Sequence, residues 1–238
     1  MSTHRTYLAA GSAALLAAGL VGCTADAAPP SAPSTAPTTY VSLPSAEGET
    51  VLEPGRYVFP VLDATRWPEL LPVVSVPAGF AATNDAGGVV VGTDADAGGR
   101  MLRIWEVDSV YSHPCDSNSN LRAISVGPTA ADLAHALAAQ PLRDGTDPVP
   151  VTIGGYDGYY TELSVPHDID IAACPGGKFN SWPGRWQQAA GQVDMLWIVD
   201  VDGQRVVFDA WALPGASEQE RAELQQMVTT ATFVPTDD

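Results

Sequence analysis

The stretch "MLWIVDVDGQRVVFDAWAL", Met195–Leu213, decides the fold. Two runs rich in β-branched and aromatic residues flank Asp202-Gly203. That pair suits a two-residue type I′ turn, whose central residues both need positive φ and whose twist matches that of the strands it joins. An antiparallel hairpin is expected here. Towards the N-terminus, "VPVTIGGYDGYYTELSV" (Val149–Val165) reads as two strands around Gly154-Gly155 and Asp157-Gly158. "GVVVGT" (Gly88–Thr93) and "MLRIWEV" (Met101–Val107) flank the loop "DADAGG" and predict another hairpin. "RYVFPV" (Arg56–Val61) alternates, and "VVSVPAGF" (Val73–Phe80) is a strand that turns at Pro77-Ala78-Gly79. Asp108 to Pro128 reads as irregular, and Ala231–Val234 as a closing strand.

Two helices complete the inventory. In "TAADLAHALAAQ" (Thr129–Gln140), Thr129 is placed to cap, Asp132 stands at the third position, and Leu133, Ala136 and Leu137 form an apolar stripe. The second helix runs from Ser217 to Thr229, with Ser217 as N-cap, Glu218 and Glu220 at the positive end of its dipole, and Leu224 and Val228 facing inward. About eight strands, prominent hairpins and no regular β-α alternation predict an α+β domain. It has a mainly antiparallel sheet with both helices packed on one face.

Composition excludes some partners. The chain has 238 residues, 28 acidic and 11 basic, for a net charge of −17, and Lys178 is its single lysine. Neutralising phosphates takes clustered Lys and Arg, so nucleic acid is not expected, nor is electrostatic docking on anionic lipid. The acidity reads as solubility, with cation binding as the alternative.

The N-terminal segment has a different character. His4 and Arg5 precede an apolar run of small residues, Tyr7–Val21. At about 15 residues it is shorter than the roughly 20 needed to cross a bilayer, and it fits the h-region of a signal peptide. It ends in Leu20-Val21-Gly22-Cys23. This resembles the bacterial lipobox at every position. The resemblance implies diacylglycerol transfer to the Cys23 sulfur and cleavage before that residue. Residues 1–22 are expected to be the leader and 51–238 one globular domain. Between them, 23–50 reads as a lipidated terminus followed by a Pro/Ala/Ser/Thr-rich linker with too little to bury for folding.

Two cysteines remain, Cys115 and Cys174, in "SHPCDSNSN" and "AACPGGKF". In an exported chain they can pair in only one way, and closing that loop contributes about 4 kcal/mol in the chain-entropy description. Free thiols, a metal site, or a dyad of a cysteine with His113 stay open as alternatives. The sequence lacks G-x-S-x-G, S-x-x-K, H-E-x-x-H and the phosphate-binding G-x-x-x-x-G-K-[ST] patterns. His135 reads as a helix-surface residue. A triad of His167 with Asp168 or Asp170 and a serine is arithmetically possible in so acidic a chain. Asp94/Asp96 and Asp200/Asp202 stand at turns, where Asp is favoured for local hydrogen bonding. Neither Asp94/Asp96 nor Asp168/Asp170 meets the full calcium-loop pattern, and no cofactor or metal is expected.

Aromatic residues offer the better recognition surface. Trp182 and Trp186 bracket "WPGRW", with Arg185 and Lys178 beside them, and Tyr156 and Tyr159 cluster around Gly155 and Gly158. Trp182, Trp186, Tyr156, Tyr159 and Arg185 are therefore the candidate ligand-binding set, suited to stacking on a sugar or a planar ligand. In the competing reading these rings cover the sheet beneath a disulfide-pinned loop. Trp105, Trp197 and Trp211 read as core.

The succession "GRYVFPVLD", "VSVPAGF", "IWEVDSVYSHPC", "TAADLAHALAAQ", "VPVTIGGYDGYYTELSVP", "DGQRVVFDAW" and "ATF" resembles a recurrent type of actinobacterial exported protein over roughly residues 52–235. It is also similar to the Mog1/PsbP-like sandwich of mycobacterial lipoproteins of the LpqN type. The resemblance implies a non-enzymatic binding or accessory module and carries over no functional residue. The expected protein is a cell-surface lipoprotein held on the extracytoplasmic face of the cell membrane by its lipid anchor. Its head would bind a small molecule, a glycan or a protein. A sensor ectodomain partnering a membrane protein, or a cell-envelope hydrolase, are the alternatives. Mass spectrometry of the membrane fraction should find a mature chain that begins at an acylated Cys23, and Cys23→Ala should leave the leader uncleaved. A full-length, fatty-acid-free chain in the cytosol would overturn the anchor.

Overall fold

The computed structural model describes residues 39–66, 68–85, 88–93, 99–115 and 123–236. The leader, the lipobox Cys23, the linker up to residue 38 and the pair Asp94/Asp96 lie outside the described residues. Strands β1 (Val41–Ser42), β2 (Gly48–Val51), β3 (Gly55–Val58), β4 (Leu70–Val76), β5 (Ala81–Asp85), β6 (Gly88–Gly92), β7 (Arg100–Trp105), β8 (Ser109–Tyr111) and β9 (Ala123–Ser125) precede helix α1 (Ala130–Ala138). Then come β10 (Asp144–Gly145), β11 (Val149–Ile153), β12 (Tyr156–Ser164), β13 (Phe179–Trp182), β14 (Arg185–Gln187), β15 (Val193–Val201) and β16 (Gln204–Ala212). Helix α2 (Glu218–Thr229) and β17 (Thr232–Pro235) close the chain.

The centre is the β15–β16 hairpin. Its register runs from Val201↔Gln204 to Val193↔Ala212, and the turn residues Asp202 and Gly203 have φ of 47° and 80°. These are the positive values a type I′ turn needs. Around it stands a nine-stranded sheet of order β10-β12-β15-β16-β7-β6-β5-β2, with β11 paired to β12. A second sheet has the order β1-β3-β4-β17.

Side-chain alternation divides the core in two. On one face Met195, Trp197, Val199, Val206 and Phe208 pack with Tyr57, Val74 and Val76 of the smaller sheet and with Leu224, Met227 and Val228 of α2. On the other, Leu196, Ile198 and Val207 pack with Leu133, Ala134 and Leu137 of α1, and with Trp105 and Trp182. The helices thus cover opposite faces of the main sheet and not the single face expected. The cause is the strands themselves: every residue of β16 is buried, and so are all but two of β15. Strands apolar on both faces need a layer on each side.

Both helices start as the sequence predicts. Thr129 accepts from the Asp132 amide while the Asp132 carboxylate accepts from Thr129, and Ser217 and Glu220 do the same at α2. The hydrogen bonds from Thr129 and from Ser217 hold the Asp132 and Glu220 carboxyls below their ordinary range.

The ordered head starts before residue 51. β1 pairs in parallel with β3, β2 pairs with β5, and Leu43 is buried. The linker's composition hides these residues, because two- and four-residue edge strands with exposed side chains carry no periodicity. β8 and β9, three residues each, occupy part of the stretch read as irregular and are too short to show alternation, and the small and polar residues of β5 give no apolar pattern. Among the described residues no helix is long and apolar enough to cross a membrane.

Gly158 lets β12 lie against β15. A Cβ there would stand 2.0 Å from the Ile198 carbonyl oxygen and 2.8 Å from Val199 Cα. Backbone on the crowded side leaves no rotamer escape. Gly158→Ala should destabilise the fold by about 2 kcal/mol, lowering the melting midpoint by roughly 4–8 °C in calorimetry; an unchanged midpoint would contradict this packing.

Candidate functional site

The β13–β14 hairpin, which holds "WPGRW", lies on the α1 side of the main sheet, where Trp182 meets Trp105 edge-on at 6.0 Å between ring centroids. Its pairing is irregular: Asn180 faces Trp186, but the register shifts before Trp182 pairs with Arg185. Alternation along β14 then sends Arg185 and Gln187 inward and Trp186 outward. The shift in β13 buries Ser181 and Trp182 together. Trp182 is 2% exposed and Arg185 4%, whereas Trp186 is 44% exposed.

Arg185 enters a buried polar cluster. Asp194 and Asp209 sit on the same face of β15 and β16, in otherwise apolar surroundings. Arg185 donates from Nε to Asp209 Oδ2 at 2.5 Å and from Nη2 to Asp194 Oδ1 at 2.9 Å. Arg143, just after α1, donates to the other Asp194 oxygen, to Ser181 Oγ and to the Leu163 carbonyl. Gln187 Nε2 donates to Asp194 at 2.9 Å, Gln192 Nε2 to Asp194 at 2.5 Å, and Trp105 Nε1 to Asp209 at 3.2 Å. The guanidinium of Arg185 also lies 4.2 Å from the centroid of Trp211.

Two carboxylates and two guanidiniums cancel, and the surrounding amides fill the remaining lone pairs. That is the condition under which buried charge is tolerated. Burial alone would raise the Asp194 carboxyl. Arg185 and Arg143 outweigh it and hold the group below the ordinary aspartate range.

A second device holds the same region. Cys115 and Cys174 are joined at 2.04 Å. Cys174 packs with Val165 and Phe179, and Cys115, Ile169 and Ile171 close over them. The Asn180 amide donates to the Pro114 carbonyl at 2.8 Å. The loop ahead of β13 is thereby tied to the segment after β8. On the outer surface of this braced hairpin the ammonium of Lys178 stands 4.4 Å from the centroid of Trp186.

The five residues singled out in the sequence do not share one site. Trp182 and Arg185 are interior. Tyr156 and Tyr159 point to opposite faces of the sheet, as odd and even positions of one strand must. Tyr156 packs edge-on against Phe233 at 5.1 Å, and Tyr159 lies 6.2 Å from the His135 ring. Trp186 is the most exposed of the five, whereas Tyr156 and Tyr159 are half-buried. Asp200 serves α1, accepting from the Ala130 amide at 3.1 Å, and Asp170 accepts from the Ala172 amide. His113, His135 and His167 are all exposed.

The cluster partners Asp194, Asp209, Arg143, Gln187 and Gln192 escaped sequence reading. For Asp194 and Asp209 the signal was a charge inside an apolar run, as in "VDMLWIV" and "VVFDAW", since such a charge must find a buried partner; Arg143, Gln187 and Gln192 carry no such local mark.

No family model matches the sequence, and no curated protein matches it. Among solved structures the chain is similar to cyanobacterial PsbP (CyanoP) from Synechocystis sp. PCC 6803, with 12% identity and a TM-score of 0.37 over 74% of this chain and 98% of that one. It is also similar to a Bacteroides thetaiotaomicron protein, with 13% identity and a TM-score of 0.32 over 70% of this chain and 46% of that one. A third similar structure is LpqN of Mycobacterium tuberculosis, involved in cell envelope biogenesis, with 14% identity and a TM-score of 0.30 over 79% and 91%. Likeness at this level transfers neither a residue nor an activity.

Asp194→Ala leaves two buried guanidiniums short of a partner and should cost about 3–5 kcal/mol in urea unfolding. Because the folded Asp194 carboxyl lies below its unfolded value, the stability it contributes is present above about pH 4 and is lost as pH falls through the folded value. The parent should therefore lose stability in acid more steeply than the variant. A variant within 1 kcal/mol of the parent would show the cluster to be dispensable.

Proposed function

We propose that the chain is an extracytoplasmic lipoprotein, anchored through Cys23, whose head is a non-catalytic module that binds a neutral glycan at Trp186. The observation that carries this reading is the exposed Trp186 ring with Lys178 against it, on a hairpin braced by the buried charge cluster and the Cys115–Cys174 bond. A rigid ring is worth more for binding than a mobile one, because less freedom is lost when a ligand stacks on it. A sugar offers C–H groups to the ring face and hydroxyls to the ammonium. The net charge of −17 favours a neutral over an acidic polymer, which the head would repel. The disulfide agrees with an oxidising compartment, as the leader and lipobox motif do.

Titration of the chain's tryptophan fluorescence with N-acetylglucosamine oligomers should show saturable binding. Trp186→Ala should weaken it roughly tenfold, about 1.4 kcal/mol, without lowering the melting midpoint. Equal binding by parent and variant, or preference for an acidic polysaccharide, would overturn the assignment.

A further inference from the structure

A groove of about 550 Å³ runs where the start of the β3–β4 pair meets the last two turns of α2, in the layer opposite Trp186. Val76, Pro77 and Met227 form its apolar part, and Arg56, Ser75 and Gln226 its polar part. The volume falls within the range of small-molecule sites.

Arg56 sets the chemistry. Its Nη2 donates to Thr232 Oγ1 at 2.5 Å, which fixes one end of the guanidinium where β17 begins. Among the described residues it makes no ion pair with a carboxylate, in a chain of 28 acidic and 11 basic residues. The nearest acid in the groove, Glu223, is engaged elsewhere: it pairs with Arg100 at 2.8 Å. Thr232 takes one of the two Nη2 hydrogens, so Nε, Nη1 and the second Nη2 hydrogen keep one bidentate edge of the Arg56 guanidinium beside an apolar floor, an arrangement that matches the two oxygens of a carboxylate. The Ser75 hydroxyl and the Gln226 amide add donors at the same opening.

We propose that this groove binds a small amphipathic monocarboxylate, its anion on Arg56 and its hydrocarbon body against Val76, Pro77 and Met227. The strongly acidic molecule disfavours a second negative charge on the ligand, so a carboxylate is preferred to a phosphate dianion. The site is separate from Trp186 and stands whether or not a glycan binds there.

Decanoate serves as the probe, titrated into the 238-residue chain by calorimetry. Decanoate should bind saturably, decanol at least tenfold more weakly, and inorganic phosphate not at all. Arg56→Gln should weaken decanoate at least tenfold and leave decanol unchanged. Ser75→Phe, at an exposed position of β4, should block both while Arg56 stays in place. Melting midpoints of both variants near the parent's show that the fold is kept. Absence of decanoate binding, equal binding of decanoate and decanol, no effect of Arg56→Gln, or tighter binding of decyl phosphate than of decanoate would each overturn the proposal.

Discussion

Asp194 and Asp209 stand on one face of the two central strands, and the placement of much of that side of the molecule follows from them. A carboxylate held in apolar surroundings destabilises a fold unless donors surround it. Here the donors come from far along the chain: Arg143 from the segment after α1, Trp105 from β7, Arg185 and Gln187 from the hairpin that closes over the cluster. Each can reach the carboxylates only if its own element docks in one place. The cluster therefore selects a single seating for the β13–β14 hairpin, where apolar packing alone would allow several.

The second constraint is the apolar character of β15 and β16 on both faces. One layer would leave Trp197 and Phe208, or Leu196 and Val207, in water. The smaller sheet with α2 covers the first set, and α1 with the hairpins covers the second. The disulfide adds a clamp at the margin of the second layer, where the local core is only a few residues deep. Bracing is thus concentrated beneath the surface that presents Trp186. The α2 groove lies in the other layer, where helix and smaller sheet meet at their ends and leave space between them.

Much of the fold was legible because its signals are local. Asp202-Gly203 demands a tight turn, and Thr129 with Asp132 and Ser217 with Glu220 mark helix starts. The strands that escaped notice, such as the exposed β2 and β9 and the three-residue β8, are too short to show the alternation that betrays a strand. The opposite placement of the helices was half visible: "MLWIV", Met195–Val199, is continuously apolar and not alternating, and a strand of that kind is covered twice.

The sequence by itself determined the long strands, the central turn and the capped helices, since those choices depend on residues a few positions apart. Only the tertiary structure decided what the charged and aromatic residues do. "WPGRW" contains nothing local to say that Trp182 and Arg185 turn inward while Trp186 turns out. That outcome rests on a register shift in β13 and on two aspartates that come later in the chain. Nor does Arg56 announce itself along the sequence. Its chemistry arises because Arg100 engages Glu223, and because β17 brings Thr232 to one edge of the guanidinium and leaves the other open.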